Sequence, residues 1–345
     1  MNPGSGLQTT FHILKCVVVS LVCLASLTFS RSTHGQETKG RELFLIQQNG
    51  KSGFINQTGK IVIQPHFVAA LSFTLGLAPA RIDEHWGYID ASGKVVIEPQ
   101  FDLADSFYEG FARVQVNHKW GYIDRTGKLT IRPQFPLALN FSEGLARIIV
   151  EGKYGFIDKN GVTIIAPQFE HADSFSEGLA NVYLDGKYGF IDKTGKMVIA
   201  LPFGIVTSFH EGLASAMNGN QIGVSKWGFI NHTGKFVIAP KFGMAGDFHE
   251  GLAPIYLEFG KQGYIDKAGR IVFTVKCDVS GFFFEGRAMV EIGGKRGYID
   301  RTGKIVIQPQ FNEAEHFHNG LAAVRVGNKW GYINKAGRYI WQPTN

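Results

Sequence analysis

The nine-residue stretch WGYIDRTGK, Trp120 to Lys128, recurs nine times along the chain, and no other feature restricts the fold as strongly. Its first glycine falls at Gly53, Gly87, Gly121, Gly155, Gly189, Gly228, Gly263, Gly297 and Gly331. The step is 34 residues throughout, except for 39 between Gly189 and Gly228 and 35 between Gly228 and Gly263. A fixed period of this size belongs to repeat architectures, in which each unit buries its apolar face against its neighbours.

Within one unit, Trp86 to Val116, the chemistry is that of strands and turns. Asp90 is followed three residues later by Gly93, and the same Asx and Gly pairing holds at Asp124 with Gly127 and at Asp158 with Gly161. An Asx side chain closes a turn onto its own backbone, and the glycine takes positive φ, so Tyr-Ile before and Val-Val-Ile after form a hairpin. A proline such as Pro99 or Pro133 then marks the expected end of the second strand, because it cannot donate to a ladder. Phe111 to Val116 alternates apolar and polar, as a half-buried third strand does. The helical tetratricopeptide repeat shares the period, but the glycines and proline in each unit and the lack of apolar residues at helical spacing exclude it.

The residues Lys119-Trp-Gly-Tyr-Ile-Asp124 and their copies resemble those of the WG-repeat (KWG) proteins, a mainly bacterial β-repeat family. The resemblance covers roughly Leu43 to Pro343. It implies a repeat scaffold, often exported, and supplies no catalytic residue. The tryptophan slot departs from the pattern in five copies, at Ser52, Tyr154, Tyr188, Gln262 and Arg296.

The array starts after an N-terminal stretch of different character. Residues 1–35 contain a short apolar run, Cys16 to Phe29, with Lys15 before it and polar residues after it. That length suits a signal-peptide core, with an uncleaved N-terminal anchor as the alternative. Residues 36–42 form a short linker, and 43–345 the array, read as eight full units plus a shared or capping part-unit. Export (periplasm, cell surface or medium) is the resulting expectation. Cys277 is the single cysteine beyond the apolar run, so no internal disulfide is available to the array. The net charge of +6 falls to +4 once Lys15 and Arg31 are removed, and it is spread over the turn lysines. No basic block points to nucleic acid.

The recurrent polar residues have structural explanations. The Asx residues cap turns, and no calcium loop accompanies them. Glu109, Glu143, Glu177, Glu211, Glu250 and Glu285 recur in identical settings, whereas catalytic carboxylates need unlike ones, so a hydrogen bond to a neighbouring turn is expected. His210, His249 and His318 share one slot, with His316 close by; the slot holds Thr74, Tyr108, Ser142, Ser176 and Phe284 elsewhere and reads as exposed. Cys277 stands where other units have a core phenylalanine. Trp86, Trp120, Trp227 and Trp330 are expected to cover the strand glycine and fill the core between repeats, rather than to stack on sugars. No metal, cofactor or catalytic set is assigned.

The expected fold is all-β, built from tandem ~34-residue three-stranded antiparallel repeats. A propeller-like closed ring is preferred to an open β superhelix, because Leu43 to Gln47 offers the strand that the C-terminal pair, Trp330 to Trp341, would lack. The expected function is an exported, non-enzymatic scaffold that binds a protein or a cell-envelope polysaccharide. The alternative is a polysaccharide hydrolase whose site is made of non-repeat residues at one end of the array. The partner surface is placed where the copies differ, over Leu201 to Phe284, with Met217, Ile222, Phe282 and Phe284 as its candidate residues.

Overall fold

In the computed structural model, residues 42–202, 204–219, 225–257 and 261–344 are described. The N-terminal apolar run and Ile222 lie outside them. The described residues form nine small antiparallel sheets in sequence order, seven of four strands and two of three. They are blade 1 (Leu43–Phe67), blade 2 (Ala69–Phe101), blade 3 (Leu103–Phe135), blade 4 (Leu137–Phe169) and blade 5 (His171–Ala200), then blade 6 (Ala214–Phe242), blade 7 (Met244–Lys276), blade 8 (Val279–Phe311) and blade 9 (Glu313–Thr344). The strand that sequence reading did not separate is the first one, only two residues long in blade 3, Leu103–Ala104.

The hairpin turn is built as its residues dictate. Asp124 Oδ1 accepts from the Thr126 amide at 2.9 Å, the Thr126 hydroxyl at 2.6 Å and the Lys128 amide at 3.1 Å. Gly127 takes φ +86°, and a Cβ there would sit 2.9 Å from Ile97 Cγ2 of the preceding blade. The turn therefore also packs between blades. The Thr126 hydroxyl, helped by the turn amides and Lys128, holds the Asp124 carboxyl below its ordinary range against the opposing effect of burial. A carboxylate depressed in this way adds stability above its unfolded pKa, about 3.9, and loses it as pH falls through the lower folded value. Asp124→Asn keeps the acceptor and should be near neutral at pH 7, whereas Asp124→Ala should cost about 1 kcal/mol or less at so exposed a turn. Thermal melting from pH 7 to pH 3 should show a smaller acid loss in Asp124→Asn than in the parent; equal losses would show that the turn carboxylate adds no pH-dependent stability.

The proline does not end its strand. Leu129–Phe135 runs two residues past Pro133, and the ladder slips between Trp120 and Tyr122 to accommodate it. The missing N–H thus falls at a bulge on an edge strand, where it breaks no ladder. That bulge brings backbone onto the motif glycine: a Cβ on Gly121 would lie 2.5 Å from Ile131 O and 2.6 Å from Pro133 N. The glycine is covered by this neighbouring strand, and the tryptophan is left to pack elsewhere.

The cores lie between blades. One joins Tyr88, Ile97 and Phe101 of blade 2 to Phe107, Val114 and Ile123 of blade 3, and each later junction repeats it. The ring closes by the same means. Phe44, Ile46 and Ile55 of blade 1 pack on Leu321, Tyr332 and Trp341 of blade 9, and the Tyr332 hydroxyl donates to Leu45 O at 2.8 Å. This corrects the expected closure through a shared strand. Leu43–Gln48 pairs with Lys51–Asn56 inside blade 1, and blade 9 supplies its own Leu321–Val326.

Candidate functional site

Three regions were open to carry function: the turns that bracket neighbouring blades, the inner rim, and the irregular stretch at blades 5 and 6.

The Glu-Gly turns are structural. Tyr108 and Phe111 exchange backbone hydrogen bonds across Glu109 (φ 50°) and Gly110 (φ 87°), a two-residue turn with both central residues left-handed. That conformation is unfavourable for glutamate. Its carboxylate offsets the cost by reaching the next blade, where Oε2 accepts from the Gly144 amide at 2.9 Å and pairs with Lys159 at 3.1 Å. Glu143 does the same with Gly178 and Lys193, and Glu285 with Gly320 and Lys335. At the seam between blades 9 and 1 a neutral pair stands in, with Gln57 Nε2 donating to Asn319 O at 3.0 Å.

The inner rim is formed by the first strands and the residues after them, which bond directly from blade to blade. The opposite edge of each sheet carries exposed side chains such as Val96 and Val237. In blades 2, 4 and 5 the rim slot holds a Thr or Ser hydroxyl, and in blade 3 it holds Tyr108: the Phe107 amide donates to Thr74 Oγ1 at 2.9 Å, and Ser142 and Ser176 donate to Phe175 O and Phe209 O. From blade 6 onward rings gather at the slot itself (His210, His249, Phe284) and two residues before it (Phe282, His316). His210 meets His249 at 5.4 Å between centroids, His249 meets Phe282 at 4.7 Å and Phe284 at 4.9 Å, and Phe284 meets His316 at 4.4 Å. The histidine slot is therefore packed at His249, in contrast to the exposed position its sequence context suggests. Burial, reinforced by His210 and His316 against Glu211, pushes the His249 pKa down to about 4, so this ring is uncharged at neutral pH.

Beside this row, Asp247 accepts from the Thr207 hydroxyl at 2.7 Å and approaches His210 at 3.7 Å. Burial pushes its carboxyl up, against the pull of His210 and Thr207. Nothing in its position on the chain announces this contact, because Asp247 does not recur and its partners come from the preceding blade. Among the described residues, no group of three or more His, Cys, Asp or Glu is placed to hold a metal ion.

The candidate partner residues separate. Phe282 and Phe284 are partly exposed on the rim, while the Phe283 between them is fully buried. Met217 is 1% exposed and so presents little surface of its own; it lines a cavity between blades 5 and 6. Cys277 is buried, and burial, with Asp278 beside it, pushes its thiol up to about 12, which leaves it unreactive at neutral pH. Trp120 is only 9% exposed and lies in the core between blades 3 and 4, with the Arg113 guanidinium 4.7 Å from its ring centroid, so it has no free face for a ligand. Trp330, at 37%, is more open.

Nine sheets closed into a circle by cores between successive blades define a nine-bladed β-propeller used as a repeat scaffold. The chain belongs to the WG containing repeat family, whose model matches residues 53–84, 86–120, 120–154, 154–188, 188–221, 227–258, 263–295 and 297–330. No curated protein sequence matches it. Among solved structures it is similar to one described as the eukaryotic initiation factor, at 12% identity over 87% of this chain and 95% of that one, with a TM-score of 0.64. BamB from Moraxella catarrhalis follows, at 10% identity over 72% of this chain and 90% of that one, with a TM-score of 0.44. PorZ from Porphyromonas gingivalis matches at 8% identity over 80% of this chain and 38% of that one, with a TM-score of 0.39. The first likeness shows a shared fold; the other two are too distant to carry an argument.

Proposed function

We propose that the protein is an exported, non-enzymatic propeller scaffold that binds a protein or a cell-envelope polysaccharide through the inner rim of blades 6 to 9. The observation that carries this reading is the row of rings from His210 to His316, set against the Thr and Ser hydroxyls that are committed to inter-blade bonds in blades 2, 4 and 5. Propellers that bind partners do so where their repeats differ, and partly exposed aromatic side chains supply contact area at low entropic cost. The hydrolase alternative needs two unlike carboxylates facing one cleft, whereas Asp247 is turned onto Thr207 and His210. The Phe282→Ala/Phe284→Ala double variant should lose binding to partners captured from the native cell envelope by at least ~10-fold, as expected for interface anchors. Replacement of 217–225 by Asn117-His118-Lys119 tests the neighbouring insertion in the same assay. Full affinity in both variants would remove blades 6 to 9 as the partner surface. Mature protein beginning between Arg31 and Gln36 outside the cytoplasm is the result expected for export, and an intact Met1 on a cytoplasmic species would end that part of the reading.

A further inference from the structure

A cavity of about 300 Å³ opens between blades 5 and 6, on the face opposite the Glu-Gly turns. Its walls include Tyr183, Lys187, Tyr188, Leu201, Pro202 and Met217. Two local departures from the repeat produce it. In blade 4 the fourth strand runs through Pro167 to Phe169 with a bulge, but in blade 5 it stops at Ala200, and Leu201, its amide bonded to Tyr188 O at 3.0 Å, takes up the core position. The residue entering the next blade also changes, from Glu170 to Gly204. Glu170 occupies the blade 4 to 5 junction and holds Lys153 at 2.9 Å. Lys187 is the counterpart of Lys153 one unit on; it faces a glycine instead, and among the described residues it has no ion-pair partner.

We propose that this cavity binds an acidic sugar unit, a pyranose ring bearing one carboxylate. The chemistry of the wall selects that class. Tyr183 and Tyr188 pair across the strands with ring centroids 4.7 Å apart, both are half-buried, and neither hydroxyl has a hydrogen-bond partner among the described residues. Such rings offer an apolar face to the C–H side of a pyranose and a polar tip to its hydroxyls. Lys187 supplies the single cation a carboxylate requires, at the exposed mouth of the cavity. A neutral sugar leaves Lys187 unused, and an aromatic acid leaves both tyrosine hydroxyls unused. The volume is at the small end for ligand pockets, which fits one ring rather than a long chain buried end to end. None of its lining residues belongs to the ring row from His210 to His316, so its titration does not depend on the partner surface proposed there.

Calorimetric titration of the full chain with glucuronate, a glucuronate-containing oligosaccharide and glucose tests the assignment. Glucuronate should bind saturably and at least ~10-fold more tightly than glucose, the difference a charge-assisted hydrogen bond supplies. Lys187→Gln should remove that difference, Tyr183→Phe should weaken both sugars, and Lys153→Gln should change neither. Tighter binding of the oligosaccharide than of free glucuronate would identify a polymer unit as the natural source, and equal binding the free acid. Equal affinity for glucuronate and glucose, or glucuronate affinity unchanged in Lys187→Gln with an unaltered melting temperature, would overturn the proposal. So would the absence of saturable binding by either acidic probe.

Discussion

Gly121→Ala is expected to destabilise the protein by about 3 kcal/mol, the upper end of the usual cost of overpacking. The added Cβ would fall 2.5 Å from Ile131 O, 2.6 Å from Pro133 N and 2.8 Å from Arg132 C, all backbone atoms of the bulged strand beside it. No side chain can rotate away to relieve these contacts, so the strand itself must move. Gly110→Ala is the control. It has φ +87° and open space within 4 Å of where the new Cβ would stand, so it should lose only the roughly 1–2 kcal/mol of a left-handed conformation. Denaturant midpoints of the two variants measure the contrast. Equal losses would mean that backbone conformation, and not the overlying strand, is what fixes a glycine in the motif.

Phe44→Ala should have an effect of similar or greater size, about 3–5 kcal/mol, because it empties the core that closes the ring. Phe44 is buried, and its ring stands 5.5 Å from that of Tyr332 in blade 9. Tyr332→Phe should cost about 1 kcal/mol by removing the hydrogen bond to Leu45 O. The two residues share one junction, so a double-mutant cycle should show coupling of about 0.5–3 kcal/mol. In an open array, Phe44 would belong to a frayed end. A loss below about 1 kcal/mol without coupling would therefore argue against closure in solution.

The parts of this fold legible in the sequence are those decided within a few residues. Asp124 and Gly127 specify their turn wherever the blade sits, and Ala112, Val114 and the residues between them specify a half-buried strand. The phase of the repeat is harder to see. A period fixes the length of a unit but not where the structural unit starts, and Phe111–Val116 pairs with the motif that follows it. Assigning that strand to the preceding motif makes blade 9 look incomplete and suggests a borrowed strand. Pro133 misleads for a related reason, since its missing N–H can be placed at a bulge as well as at a terminus. The candidate sites depend on contacts between blades. Lys187 looks like Lys153 in sequence, and only the neighbouring blade shows that one faces Glu170 and the other Gly204.

The first and last blades meet through side chains, with no backbone ladder shared between them. The seam between blades 9 and 1 is therefore built on the same plan of side-chain packing as the other junctions, with Gln57 and Asn319 in place of the glutamate contact. Blade number is a property of the whole circle, because adding or losing one unit changes the angle at every junction. The sequence of any one blade is freer, since each touches only two others. Blades 5 and 6 illustrate this division: blade 5 has lost a bulge and a cleft has opened between the two, while the blades on either side keep their turns, their glycines and their cores. Drift in such a ring is contained locally, which lets one sector acquire a new surface while the other sectors hold the circle closed.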